Sequence, residues 1–307
     1  MPEPTSTTSP TQVLAAVAAI GPFFAVRTDP PGPGGPRADG YLPLAEAYGT
    51  GPGPGGAKAP AAEPGAGNVP GAGELPGAAD VPGAGDAPPG LRHRHATVAG
   101  RLGTDEARVV ASLSFQGLAG RLWSLAVGSA VLAGQVPDFG PRRLWWHPER
   151  SAPDELWLPP TTDAQDRPPA PTSDPAALAA QLRSAVVDAH LTPLHRATTA
   201  ASGVAGTLLW GNAGSALAGA LGVLYRWLRT PSAAPTTLAL RPQAPAEAAE
   251  LARALSRELF ATEPLRSTGD WLPGAGPVFR RSTCCLYYRV PGGGLCGDCV
   301  LPRVPGR

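Results

Sequence analysis

The chain has 307 residues, 43% of them hydrophobic, so it can bury one sizeable core. It also contains 39 glycines and 39 prolines, most of which must lie outside that core. Its 25 Lys and Arg residues against 24 Asp and Glu residues leave a formal charge of +1. A balance this close to zero produces no global field that would attract nucleic acid or an anionic membrane, so neither class of partner is predicted.

The N-terminal part of the chain predicts one short helix followed by a long segment without a core. Residues 13–26 are apolar enough to form the helix, and they lack the preceding basic residues of a secretory signal. From residue 30 onwards Pro, Gly and Ala dominate, and a six-residue repeat begins at Pro64, Pro70, Pro76 and Pro82. Such sequence offers too little apolar surface to offset the entropy of ordering it. We therefore assign residues 1–29 to an N-terminal apolar helix segment and residues 30–95 to a disordered Pro/Gly/Ala-rich insertion.

The next part of the chain predicts helical sequence and a hairpin. Residues 104–132 place Val and Leu at helical spacings behind Thr104, which suits an N-cap, and one or two packed helices follow from that pattern. Residues 143–160 contain two short aromatic and aliphatic runs around a turn rich in Pro, Ser and Asp. This alternation of runs and turn predicts a β-hairpin.

Two further helices have clear start signals or periodicity. One begins with Ser173 or Asp174 as N-cap and Pro175 in the first turn, and it is expected to end near His190. Pro193 is expected to break the helix beyond that point. The other helix runs over residues 246–260, where leucines are spaced by four along one face.

One uncharged stretch, residues 197–225, is long enough to span a bilayer. It consists mostly of Gly, Ala, Ser and Thr and carries Asn212 near its centre, so we predict two buried helices and no membrane span. Peripheral membrane association remains open. The predicted fold class is mainly α: a helical domain over residues 96–279 with a small β-hairpin, followed by a cysteine-rich tail over residues 280–307.

The four cysteines of the chain all lie in the tail, as Cys284, Cys285, Cys296 and Cys299. The last two form a CxxC pair, whose spacing lets both sulfurs turn onto one ion. The sequence PGGGL before this pair can fold the chain back and bring the adjacent pair to the CxxC. Four thiolates placed in this way suit a tetrahedral zinc site or a four-sulfur iron site. Disulfides are disfavoured, because with no signal, no span and no other cysteine the expected location is the reducing cytoplasm.

Spacing alone does not choose between zinc and iron. The pattern Cys-Cys-x10-Cys-x2-Cys, surrounded by LYYR and GGGLCGDC, resembles the FhuF-type siderophore-iron reductases. The stretches ASLSFQGLAGRLWSLAVGSAVL, HLTPLHRA and LLWGNAGSALAGAL are also similar to that family. The resemblance therefore extends over residues 97–307 and leaves out the Pro/Gly-rich insertion.

The resemblance implies that the four cysteines hold a [2Fe-2S] cluster, which makes them catalytic, cofactor-binding and metal-ligating residues at once. It also implies a cytoplasmic oxidoreductase that reduces ferric iron delivered in a siderophore. The sequence contains no GxGxxG between a strand and a helix and no GxxxxGK[ST], so no nucleotide site is predicted. A separate electron donor, such as a ferredoxin or a flavoprotein, is then required.

Other residues are candidates for contacting the ferric siderophore. Arg280, Arg281, Arg289 and Arg303 flank the cysteines and predict a positive collar that attracts an anionic chelate or an acidic donor and raises the potential of the cluster. The alternative is that arginine is simply the usual cation of this sequence, which contains a single lysine. His190 and Asn212 lie in stretches similar to the family and are candidates for lining the chelate pocket. A capping His and a buried Asn satisfied by backbone groups are the simpler interpretation of these two.

Two alternative functions remain open from the sequence. The first is a zinc-stabilised helical binding module, in which the four cysteines are structural and the protein has no redox activity. The second rests on distant similarity of the helical region to siderophore synthetases, and it requires an ATP site that the sequence does not contain.

Overall fold

The computed structural model describes residues 9–50, 87–160, 170–241, 243–273 and 278–306. The helices are α1 (Pro10–Ala18), α2 (Gly35–Ala38), α3 (Leu44–Ala47), α4 (Pro89–Leu102), α5 (Ala107–Ala133), α6 (Pro175–Leu182), α7 (Thr192–Ser202), α8 (Gly206–Leu228), α9 (Ala233–Leu240) and α10 (Pro245–Phe260). The strands are β1 (Leu42–Pro43), β2 (Trp145–Trp146), β3 (Leu156–Trp157), β4 (Gly269–Leu272) and β5 (Val278–Arg281). The predicted fold class, mainly α, is confirmed.

Helices α5 and α8 form the centre of the fold. Over most of its 27 residues α5 is buried on every side, as expected for a helix that is apolar all round. Helix α8 packs along α5, and α1, α4, α6, α7 and α10 also contact this pair. One helix within the described ranges, α8 itself, has the length and composition of a membrane span, with 67% of its most apolar window buried inside the fold. Helices α7 and α8 together are the two helices predicted for the uncharged stretch.

The predicted hairpin is present as the antiparallel pair β2 and β3, in which Trp145 lies opposite Trp157. Strand β1 joins it as a third strand, with Leu42 opposite Trp146. A second antiparallel pair, β4 and β5, leads directly into the cysteine-rich tail. The helix predicted over residues 246–260 is confirmed as α10.

The predicted helix end near His190 is wrong. Helix α6 begins as expected, because the Asp174 carboxylate accepts hydrogen bonds from two backbone N–H groups of its first turn. It then continues through a π-helical segment, Arg183–Leu191, directly into α7. Pro193 lies in the first turn of α7. The wider π-helical turn before it accommodates a residue that has no backbone N–H to donate.

The structure describes helices and a strand at both ends of the predicted insertion, residues 30–95. Helices α2 and α3 and strand β1 lie within the first part, and α4 begins at Pro89 and runs across the predicted boundary. The side chains of Tyr41, Leu44 and Tyr48 are buried. A few large apolar residues suffice to dock a Pro/Gly-rich chain, which an average composition does not reveal. The central part of the insertion, including the proline repeat, lies outside the described residues, and the proposed division into domains remains a prediction.

Replacing residues 51–86 by a short glycine linker is expected to change the melting temperature by less than about 3 °C. The two residues that flank this segment lie close together, since a Cβ built on Gly49 would lie 3.4 Å from Pro88 Cγ. A matched deletion of residues 41–86 also removes three buried large side chains and is expected to prevent stable folding. Calorimetry of both variants checks the prediction. Equal destabilisation by the two deletions would contradict it.

Candidate metal centre

The β4–β5 hairpin places the start of the tail against the helical core. Gly269 lies opposite Arg281, and Trp271 lies opposite Phe279. Side chains alternate along a strand, so Phe279 and Arg281 point inward while Arg280 points to solvent. The register therefore gives two adjacent arginines opposite environments.

Helix α8 allows this close approach because it carries glycine at the contacts. A Cβ built on Gly211 would lie 2.0 Å from Thr283 Oγ1, and one built on Gly214 would lie 2.1 Å from Thr268 Oγ1. Both distances are far below van der Waals contact, so any larger residue must displace the hairpin or the tail. The tail thus lies in a groove along α8 that only glycine leaves open.

The four cysteines are brought together after β5. The backbone N–H of Arg281 donates to the carbonyl of Asp298 at 3.1 Å, which ties the strand to the CxxC turn. Cys285 is buried, and the other three cysteines are partly exposed. The side chains of Cys285 and Cys296 are hydrogen-bonded to each other, so the adjacent pair and the CxxC pair meet as the spacing predicted.

Backbone donors also point at the sulfurs. The N–H of Leu286 donates to Cys284 Sγ at 3.3 Å, and the N–H of Leu301 donates to Cys299 Sγ at 3.4 Å. Leu286 has a left-handed backbone with φ of 67°, an unusual conformation for a branched residue that belongs to the turn after the adjacent pair. N–H groups directed at sulfur stabilise thiolates and bound clusters.

The thiols have shifted pKa values that reflect this clustering. The hydrogen bond from Cys296 lowers the pKa of Cys285 to about 7, against the opposing effect of burial. The same hydrogen bond raises the pKa of Cys296. Burial raises the pKa of Cys284. The Arg281 guanidinium acts on all three thiols in the direction that favours thiolate.

Arg281 itself has no anionic partner among the described residues. Its side chain is 1% exposed, one Nη donates to the Asn212 amide oxygen, and Nε and the other Nη have no hydrogen-bond partner there. A buried cation without a counter-charge is costly, and the nearby thiols are the groups that can supply that charge. An anionic four-thiolate group therefore fits this site.

A network of polar side chains in the core holds the arginine. Asn212 in α8 is 0% exposed, and its amide nitrogen donates to the Ser112 carbonyl at 2.8 Å and to Ser112 Oγ at 2.9 Å. Ser112 Oγ in turn donates to the Cys285 carbonyl at 2.7 Å. This network (Ser112, Asn212 and Arg281) joins α5, α8 and β5 to the cysteines. Sequence reasoning missed Ser112, whose only signal was a polar residue within an apolar helix.

The structure separates the predicted substrate residues. Asn212 is enclosed in the network and Arg281 is buried, and their predicted contact with the chelate stays a prediction. Arg280 is exposed and donates to the Val300 carbonyl at 3.2 Å. Arg289 is paired with Glu106 at 2.9 Å. Arg280 and Arg289 are exposed while Arg281 is buried, and the collar stays a prediction.

His190 lies in the core and not at the cysteines. Tyr48 OH donates to its Nδ1 at 2.7 Å, and its Nε2–H donates to the Phe139 carbonyl at 2.9 Å. Burial lowers the pKa of His190 to about 4, so the ring is neutral near pH 7. The ring is fully buried with both nitrogens hydrogen-bonded, and its predicted role in lining the chelate pocket stays a prediction.

The described residues contain no three His, Cys, Asp or Glu side chains that converge on a single ion position. A [2Fe-2S] cluster takes four cysteine ligands, and the four cysteines of the tail would hold it. Four thiols with backbone donors and a buried cation are the surroundings that such a cluster requires. Fold and site together define a mainly helical protein with a C-terminal four-cysteine centre.

Comparison with known families agrees with this class. Residues 281–301 match the family model described as the FhuF 2Fe-2S C-terminal domain. The matched segment begins at Arg281 and contains all four cysteines. No curated protein matches the chain. The resemblance predicted from the cysteine pattern and the predicted [2Fe-2S] cofactor are confirmed over this segment.

Proposed function

We propose that the protein is a ferric-siderophore reductase of the cytoplasm. The observation that carries this proposal is the match of the tail to the FhuF 2Fe-2S C-terminal domain, whose four cysteines lie together beside a buried cation. When bound, the cluster supplies a carrier of single electrons. One electron from a reduced donor converts chelated Fe(III) to Fe(II). The hard oxygen ligands hold Fe(II) far less tightly, so the metal leaves and the freed ligand oxygens take protons from water.

The exposed edge of the tail is where we place the electron partners. Cys284, Cys296 and Cys299 are partly exposed, whereas Cys285 faces the core. Tyr287 and Leu295 lie in the same tail and expose 39% and 40% of their surface, so both are accessible to a partner. Electrons must come from a separate protein, a ferredoxin or a flavoprotein, since the chain contains no dinucleotide motif.

The reductase proposal predicts that a ferric chelate oxidises the reduced protein. The anaerobically reduced protein is mixed with a ferric hydroxamate siderophore in a stopped-flow instrument, and the return of the oxidised visible spectrum is followed. The gallium complex of the same siderophore is the matched control, because Ga(III) has a similar size and charge but accepts no electron. Oxidation by the iron complex alone is expected. Absence of oxidation by any ferric chelate would reject the reductase proposal, whereas the assignment of a [2Fe-2S] cofactor would be unaffected.

The [2Fe-2S] cofactor and the zinc-binding alternative predict different colours and metal contents for the purified protein. Reddish-brown protein with about two irons and two sulfides per chain is expected from the cofactor, together with a rhombic electron paramagnetic resonance signal after reduction. Colourless protein with stoichiometric zinc would favour a structural binding module. Metal analysis of protein purified without oxygen distinguishes the two.

A further inference from the structure

We infer that Arg281 is a built-in counter-cation of the [2Fe-2S] centre that raises its reduction potential, and that Asn212 and Ser112 position it. The inference rests on the cofactor and on the geometry around it. The effect of Arg281 on the potential does not depend on the identity of the electron acceptor, so failure of the reductase proposal would not affect this inference.

Comparison with other buried arginines of the fold shows why Arg281 needs a partner. Arg94 and Arg121 are buried as well, and both pair with the buried carboxylate of Glu155, at 2.7 Å and 3.6 Å. Arg281 forms no ion pair with any described residue, and its one side-chain partner is the neutral amide of Asn212. Arg94 and Arg121 therefore have a buried carboxylate as partner, whereas Arg281 requires an anion from another source.

The position of Arg281 identifies that anion. The residue lies three positions before Cys284, and its backbone N–H donates to the Asp298 carbonyl inside the CxxC turn. Its side chain belongs to the network in which Ser112 Oγ donates to the Cys285 carbonyl. Two of its nitrogens remain without partners in the described part of the chain. Because Asn212 and Ser112 hold each other through two hydrogen bonds, the guanidinium that donates to Asn212 is held in one position.

A fixed cation at this place favours the more negative state of the centre. One-electron reduction adds one negative charge, and the interaction with a buried cation is little screened by solvent. Hydrogen bonds and charge near the sulfurs are among the features that set cluster potentials. The exposed Arg280 carries the same charge, but water screens it.

The test compares reduction potentials measured by redox titration of the loaded proteins. Arg281→Gln is expected to lower the equilibrium constant for one-electron reduction at least tenfold, which corresponds to a shift of about 59 mV. Arg280→Gln is the matched control, one residue away and with the same loss of charge, and a change below about threefold is expected. Arg281→Lys keeps the charge and is expected to stay closer to wild type than to Arg281→Gln.

Two results of this titration would overturn the inference. The first is an unchanged potential in Arg281→Gln, since the charge would then have no effect on the centre. The second is an equal loss in Arg281→Lys and Arg281→Gln, which would indicate a structural role of the side chain and not a role of its charge.

A measurement on the unmodified sequence covers the case in which Arg281→Gln fails to assemble the centre. Protein labelled with ¹⁵N-arginine is reduced, and pulsed electron paramagnetic resonance is used to detect ¹⁵N nuclei coupled to the reduced centre. A coupling is expected in the wild-type protein and in the Arg280→Gln and Arg289→Gln variants, since neither exposed arginine is its source. Absence of ¹⁵N coupling in the wild type, or its loss in either variant, would overturn the assignment to Arg281.

Discussion

Replacing Cys285 by alanine is expected to remove the visible iron–sulfur absorption and to leave less than about one-tenth of the wild-type iron and sulfide. Each cysteine would supply one bond to the centre, and Cys285 is the buried member whose side chain meets Cys296. The loss also removes a thiolate from beside the unpaired Arg281, so the metal-free variant keeps a buried cation without compensation. Visible spectra and iron and sulfide analysis of anaerobically purified protein measure the effect.

The control for this substitution is Ser282→Ala. Ser282 lies two residues before Cys284 in the same tail, and its hydroxyl donates to the Ser267 carbonyl at the surface. Its loss is expected to leave cluster content unchanged, because it touches neither the sulfurs nor the network. Cys285→Ser is expected to retain a partial and unstable cluster, since serine oxygen is a poorer ligand for iron than sulfur. Wild-type iron content in Cys285→Ala would show that the ligand set is a different one.

Replacing Gly211 by alanine is expected to displace the tail from α8 and to cost about 1–3 kcal/mol of stability, with a large loss of cluster content. The new methyl group would lie 2.0 Å from Thr283 Oγ1, and Thr283 precedes the first cysteine. Relief by movement of the tail would disturb the contact between Arg281 and Asn212, the residue that follows Gly211 in α8. Denaturant unfolding and iron analysis measure the two effects.

Two variants separate this clash from a general effect of alanine in the helix. Gly219→Ala lies in the same helix, where a Cβ meets no atom within 4 Å, and it is expected to stabilise α8 slightly through helix propensity. Thr283→Ala removes a hydroxyl that has no partner in the described residues, and combined with Gly211→Ala it is expected to restore at least half of the lost cluster. No recovery in the double variant would contradict the proposed clash.

Local patterns in the sequence were sufficient for much of the fold. The cysteine spacing alone predicted that the adjacent pair and the CxxC pair meet, and the match over residues 281–301 confirmed the cofactor that the resemblance implied. Helical periodicity located α10, and the Asp174–Pro175 start signal located the beginning of α6. These predictions succeeded because each depends on residues close together in the chain, whose spacing determines the face or turn that they occupy.

Tertiary structure decided which residues surround the cysteines. Asn212 is separated from Ser112 by 100 positions and from Arg281 by 69, so no local pattern indicates that they share one network. The register of β5 decided that Arg281 faces the core and Arg280 faces water, although the sequence shows two equivalent arginines. Burial also decided the role of His190, whose neighbours Tyr48 and Phe139 come from distant parts of the chain. The physical reason is common to all three cases: the identity of a polar residue is local, whereas its solvation and its partners depend on contacts between distant segments.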